Sequence, residues 1–161
     1  MRTLIIIQVL LFSLSLSISS YAADFNKGLT AAQSGDFATA LKEWKPLAEG
    51  GNAVAQFNLG LMYENGWGVS QDYKEAVRLY RLAAEQGIAE AQTNLANRYY
   101  YGEGVNKDIV YAHMWKIISA SNGFEPAKED LKIIEKEMTS SHISEAQRLA
   151  RECVKKNYKG C

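Results

Sequence analysis

Ala55-Gln56-Phe57-Asn58-Leu59-Gly60-Leu61-Met62-Tyr63-Glu64-Asn65-Gly66-Trp67-Gly68-Val69-Ser70-Gln71-Asp72-Tyr73 decides how this chain folds. Ala55, Leu59 and Tyr63 recur at four-residue steps, which puts them on one face of a helix. Gly66 suits the position that ends this helix, where the backbone turns left-handed. Gly68 lets the turn continue without a Cβ clash. Asp72 then caps a second helix, and Glu75 three residues on completes a capping box. Ala76, Tyr80 and Ala84 repeat the spacing on that helix, and Gly87 closes it. Small Ala residues let two helices approach closely, and Tyr fills the space between them.

The unit recurs along the chain. Gly51, Gly87 and Gly123 stand 36 residues apart, as do Asp36, Asp72 and Asp108. Ala40, Ala76 and Ala112 keep the interval, and so do Ala48, Ala84 and Ala120. Ala55, Ala91 and Ala127, with Leu59, Leu95 and Leu131, complete six sets in phase. The loop Gly66-Trp67-Gly68-Val69 returns as Gly102-Glu103-Gly104-Val105. Such self-similarity is the mark of a repeat architecture. It predicts helices over 24–34, 37–49, 53–65, 73–86, 89–101, 109–122, 125–137 and 142–156. Pro126 falls in a first turn, where Pro is tolerated. Pro46 falls inside the second helix and is expected to kink it or cut it short. One helix pair cannot bury its apolar faces alone, whereas stacked pairs share one core. The predicted fold is all-α: a short right-handed superhelical solenoid of about four helix pairs. The first pair lacks the Gly-x-Gly-Val loop, as expected of an atypical capping unit.

These residues resemble the signature of the Sel1-like repeat (SLR), a branch of the tetratricopeptide-like α/α solenoids. Tyr80 and Ala83-Ala84-Glu85-Gln86-Gly87 continue the pattern. Residues 52–87 match almost throughout, and 88–123 match with Ala96 where Gly60 stood. Residues 24–51, read as the cap, and 124–156 match loosely, and 157–161 form a tail. The resemblance implies a scaffold that binds a protein or peptide. It points, for exported bacterial members, to adaptors of signalling, envelope assembly or host contact. Some periplasmic immunity proteins are similar to the family, so an inhibitor of a toxin is an alternative. Cys-rich members resemble β-lactam-binding or β-lactam-hydrolysing proteins, but they carry a Cys pair in each repeat, and this chain does not.

The N-terminus reads as a targeting segment. Arg2 precedes the largely apolar run Leu4 to Leu16, and Ser20-Tyr21-Ala22-Ala23 fits cleavage after Ala22. The expected organisation is a signal peptide over 1–22 and one solenoid domain over 23–161. The run is too short and Ser-broken for a membrane span, so a periplasmic or secreted, monomeric protein is expected. Eighteen basic residues balance eighteen acidic ones. That leaves no cationic excess for a phosphate backbone and argues against a nucleic-acid partner. At 47% hydrophobic and 22% charged residues, the chain has the profile of a folded domain.

In related solenoids the first helix of each pair lines the concave face. Positions lying between the packed ones in helical angle should face that groove. These are Phe57, Leu61 and Glu64, and one period on Thr93, Asn97 and Tyr100. Tyr99-Tyr100-Tyr101 cannot all share one buried face, because successive helical residues turn by about 100°. Tyr99 aligns with Tyr63, which leaves Tyr100 or Tyr101 exposed as a contact residue or as cover for a neighbouring helix. Trp67 is either an exposed anchor or a ring folded back over the helix ends. Trp44 and Trp115 are expected in the core, His113 and His142 as isolated side chains, and Glu135, Lys136 and Glu137 on a solvated face.

No catalytic residues, metal ligands or cofactor are expected. The mature chain has no Gly-x-Ser-x-Gly elbow, no Ser-x-x-Lys dyad and no phosphate loop after a strand. A small envelope hydrolase is kept as the alternative of a different class. Two Cys residues remain, Cys153 and Cys161. In an oxidising compartment they are expected to form a disulfide that pins the tail to the last helix. A redox pair lacks the Cys-x-x-Cys spacing, and intermolecular bonding or free thiols stay open.

Overall fold

The structure, a computed structural model, describes residues 23–161, so the predicted leader lies outside the described residues. Among them are eight helices and no strand: α1 Phe25–Gln33, α2 Phe37–Glu49, α3 Ala53–Asn65, α4 Tyr73–Ala84, α5 Ala89–Tyr101, α6 Ile109–Ser121, α7 Pro126–Glu135 and α8 Ser140–Lys155. Every boundary falls within two residues of its predicted place. Consecutive helices pack side by side from α1 to α6, and α6 then carries both α7 and α8.

Local chemistry sets the ends. The side chains of Asp24, Asp36, Asn52, Asp72, Asp108 and Thr139 accept backbone N–H groups at helix starts. Gly66 and Gly102 end α3 and α5 at φ 70° and 74°, in the left-handed region. The second glycine of each loop has a further reason. A Cβ on Gly68 would lie 2.7 Å from Phe37 Cβ, and one on Gly104 would strike the Tyr73 carbonyl. Phe37 and Tyr73 are themselves one period apart and open α2 and α4. Each Gly-x-Gly-Val loop therefore rests on the start of the preceding pair's second helix.

Pro46 does not shorten α2, which runs on to Glu49. Its ring is exposed in the final helical turn, where water can serve a backbone group that loses its helical partner.

In the first two pairs a small residue on the first helix lies beneath a large one on the second. Gly28 lies under Trp44, and a Cβ there would come within 2.5 Å of the indole. Gly60 lies under Tyr80, where a Cβ would come within 2.6 Å of the ring. Trp44 and Tyr80 are 36 residues apart. Two apolar clusters result. One gathers Trp44, Leu59, Met62 and Leu79; the other gathers Tyr80, Leu95, Tyr99, Trp115 and Ile118. Adjacent residues of α4, Leu79 and Tyr80, belong to different clusters, so this helix joins the two halves.

A polar ladder runs beside the core. Gln56 Nε2 donates to the Ala48 carbonyl at 3.0 Å, and Gln92 Nε2 donates to the Ala84 carbonyl at 3.1 Å. Gln86 donates to the Gln56 amide oxygen and Asn122 to that of Gln92. Each rung is the previous one shifted by a period. These amides satisfy carbonyls at the ends of second helices.

Candidate functional site

The first-helix layer carries the predicted contact positions. Gly28 and Gly60 occupy equivalent places, so Leu29 corresponds to Leu61. The period continues the row to Asn97 and Ile133. The register holds into α7, because Lys116 and its partner Asp130 stand one period after Tyr80 and Asn94, which also neighbour each other. Leu29 and Ile133 are both exposed, Ile133 at 57%. Sequence reasoning did not nominate either residue, although carrying the period outward from Leu61 and Asn97 reaches both.

The structure distributes the nominated residues unevenly. Phe57 is half-buried, with its ring 6.1 Å from that of Tyr80. Leu61 lines a cleft with Phe37, Trp44, Asn58 and Trp67. Asn97 is half-buried. Tyr101 is 62% exposed and meets Tyr100 edge-on at 5.0 Å. Tyr100 is only partly open. Its hydroxyl donates to Glu137, and Lys107 sits over its ring. Thr93 is 7% exposed and bonded to Ser119 at 2.7 Å, so it faces α6. A hydroxyl at this position has an internal partner that α6 supplies.

Glu64 is drawn inward as well. It accepts the Tyr80 hydroxyl at 2.5 Å and lies 3.6 Å from the Arg98 guanidinium. Arg98 also pairs with Glu103 and sits over the Tyr73 ring. Burial pushes the Tyr80 phenol well above its usual range, and the Glu64 carboxylate adds to the effect. Tyr99 is buried as the Tyr63 alignment implies, and its hydroxyl accepts from Arg81. Trp67 stacks on Phe37 at 5.4 Å yet stays 43% exposed.

Three side chains read as isolated or solvated, His113, Glu135 and Glu137, prove to be tertiary ties, and Asp130 makes a further one. His113 is buried, with Nε2 2.9 Å from Glu135. Glu137 receives Tyr100, and Asp130 receives the buried Lys116. Burial lowers the Lys116 ammonium from its usual range, and the bond to Asp130 opposes that. The cause is that α7 packs on α6 and the residues after it reach α5, which no local pattern announces. His142 is exposed, while Trp44 and Trp115 are buried as expected. Cys153 and Cys161 form a disulfide with Cα atoms 5.7 Å apart. Tyr158 inside that loop donates to Asn122, and the Gly160 amide donates to Glu85. The tail thus ties to the end of the amide ladder. Among the described residues no group of His, Cys, Asp or Glu gathers as metal ligands would. No described helix is long and apolar enough to cross a membrane.

Stacked helix pairs joined by Gly-x-Gly loops define an α/α solenoid. The family model for the Sel1 repeat matches residues 53–88 and 89–124, so this chain carries two Sel1 repeats. A solved protective antigen present in uropathogenic Escherichia coli strains, displaying an SLR fold, superposes with TM-score 0.77 at 30% identity. The match covers 83% of this chain and 30% of that one. A Sel1 repeat protein from Oxalobacter formigenes superposes with TM-score 0.67 at 28% identity, over 71% of this chain and 47% of that one. This chain therefore spans less than half the length of either relative. No curated protein matches it. Sel1-repeat proteins act mainly as non-catalytic scaffolds for protein interaction.

Proposed function

We propose that this protein is an exported, non-catalytic scaffold that binds one partner protein or peptide on its first-helix layer. The supporting observation is the row Leu29, Leu61, Asn97 and Ile133, flanked by Phe57 and Tyr101. Leu29 and Ile133 stay open and Leu61 half-open, while Gly28, Gly60 and Ala96 beside the row pack inward. Open apolar and aromatic side chains on a preformed surface bind with little ordering cost. Glu64 and Thr93 support that surface from within. The disulfide suits an oxidising compartment, and the likeness to a protective antigen accords with export. The test is photo-crosslinking in cells from positions 61 and 101, with position 45 on the second-helix layer as control. A single dominant protein from both row positions and not from the control is the expected result. Equal capture from all three, or none from the row, overturns it.

A further inference from the structure

A second surface lies on the other layer. Between α6 and α8 runs an open cleft of about 400 Å³. Ile118 and Ala150 form its floor, Ile117 and Val154 its apolar walls, and Arg151 and Lys155 its rim. The lining is dominated by carbon, and Val154 is 46% exposed. The other arginine of α8 is neutralised: Arg148 pairs with Glu145 at 2.6 Å and with Glu152 at 2.6 Å. Arg151 and Lys155 lie one turn apart on the cleft side, are exposed, and pair with no carboxylate among the described residues. Lys156 and Lys159 follow in the tail, also exposed. In a chain of zero net charge, this end concentrates unmatched positive charge around an apolar slot.

We propose that the α6–α8 cleft is a docking site for an acidic amphipathic helix of a partner protein. Apolar side chains one turn apart would enter between Ile117 and Val154, and flanking carboxylates would meet Arg151 and Lys155. Helix-in-groove recognition uses this division between apolar anchors and charged rim. A cleft walled by two helices favours a helical insert over a lipid surface, which demands protruding apolar groups. The site stands apart from the first-helix row and holds whether or not that row binds.

Methyl NMR of the protein, titrated with a synthetic helical peptide of leucines on one face and glutamates on the other, tests this. Saturable shifts of the Ile117, Ile118 and Val154 methyls are expected, with affinity falling about tenfold as salt screens the rim. Arg151→Glu with Lys155→Glu should abolish the shifts while the remaining spectrum stays unchanged. Val154→Asp should abolish them with the cations intact. The proposal is overturned if millimolar peptide moves none of these methyls, or if a lysine–leucine peptide of the same pattern moves them equally. Shifts centred on Leu29 and Leu61, or response only to phosphatidylglycerol vesicles, overturn it too.

Discussion

Tyr80 shows how one residue carries several duties. Its ring fills the notch above Gly60, and its hydroxyl closes onto Glu64, which also lies beside Arg98. A phenol held neutral inside the fold has a raised pKa, so folding loses its contribution when the unfolded chain can ionise. In the unfolded chain that group titrates near pH ~10. The contribution is therefore complete below about pH 10 and is lost as pH rises above it. Tyr80→Phe should flatten the fall in stability above about pH 10 relative to the parent, as read by urea unfolding across alkaline pH. An unchanged alkaline slope would remove Tyr80 from this role. One period on, Ala96 replaces Gly60, Lys116 replaces Tyr80 and Asp130 replaces Asn94. The three changes are coupled: a flexible lysine stem does not need the notch, and its ammonium needs a carboxylate.

At the scale of an element, α7 depends on such pairs. Its only buried residues are Ala127 and Ile134, which is little apolar area for a helix of ten residues. Lys116–Asp130 and His113–Glu135 hold it instead, with Tyr100–Glu137 just past its end. Asp130→Ala leaves the Lys116 ammonium buried without its partner, at a cost of about 1–3 kcal/mol. Native-state hydrogen exchange should show that loss in α7 amides while α3 and α4 keep their protection. Uniform loss across the molecule would mean that α7 does not open independently. The pairs were hard to foresee because Asp130, Glu135 and Glu137 have the exposed, charged pattern of any solvated helix face. Only the packing of α7 on α6, and of the segment after it against α5, gives them partners.

For the whole molecule, the solenoid ends matter most. A stack of pairs is stabilised by nearest-neighbour contacts, so its terminal units lack one neighbour. At the far end the Cys153–Cys161 loop, eight residues in separation, holds Tyr158 against Asn122 and Gly160 against Glu85. Removing both thiols, Cys153→Ser with Cys161→Ser, should lower stability by about 2–3 kcal/mol by loop-closure arithmetic. Denaturant unfolding measures the cost, and hydrogen exchange should place the fraying at the end of α8. An unaltered midpoint would make the disulfide incidental to the fold.

What the sequence determined by itself is the repeat: the eight helices of the described residues, the Asp72 cap with its 36-residue equivalents, and the glycine-rich loop that ends each first helix of the two full repeats. All of these are local and periodic, so spacing alone reveals them, and Tyr99 could be told from Tyr101 by register. The candidate surface was legible only in part. Phe57, Leu61, Asn97 and Tyr101 remain open or half-open, whereas Thr93 and Glu64 turn inward because α6 and α4 bring Ser119 and Tyr80 within bonding distance. Helical angle says which way a side chain leaves its own helix. It does not say which polar group of another helix meets it there. The amide ladder, the fold-back of α7 and the cleft between α6 and α8 were decided by tertiary structure, because each joins residues whose partners lie on other helices.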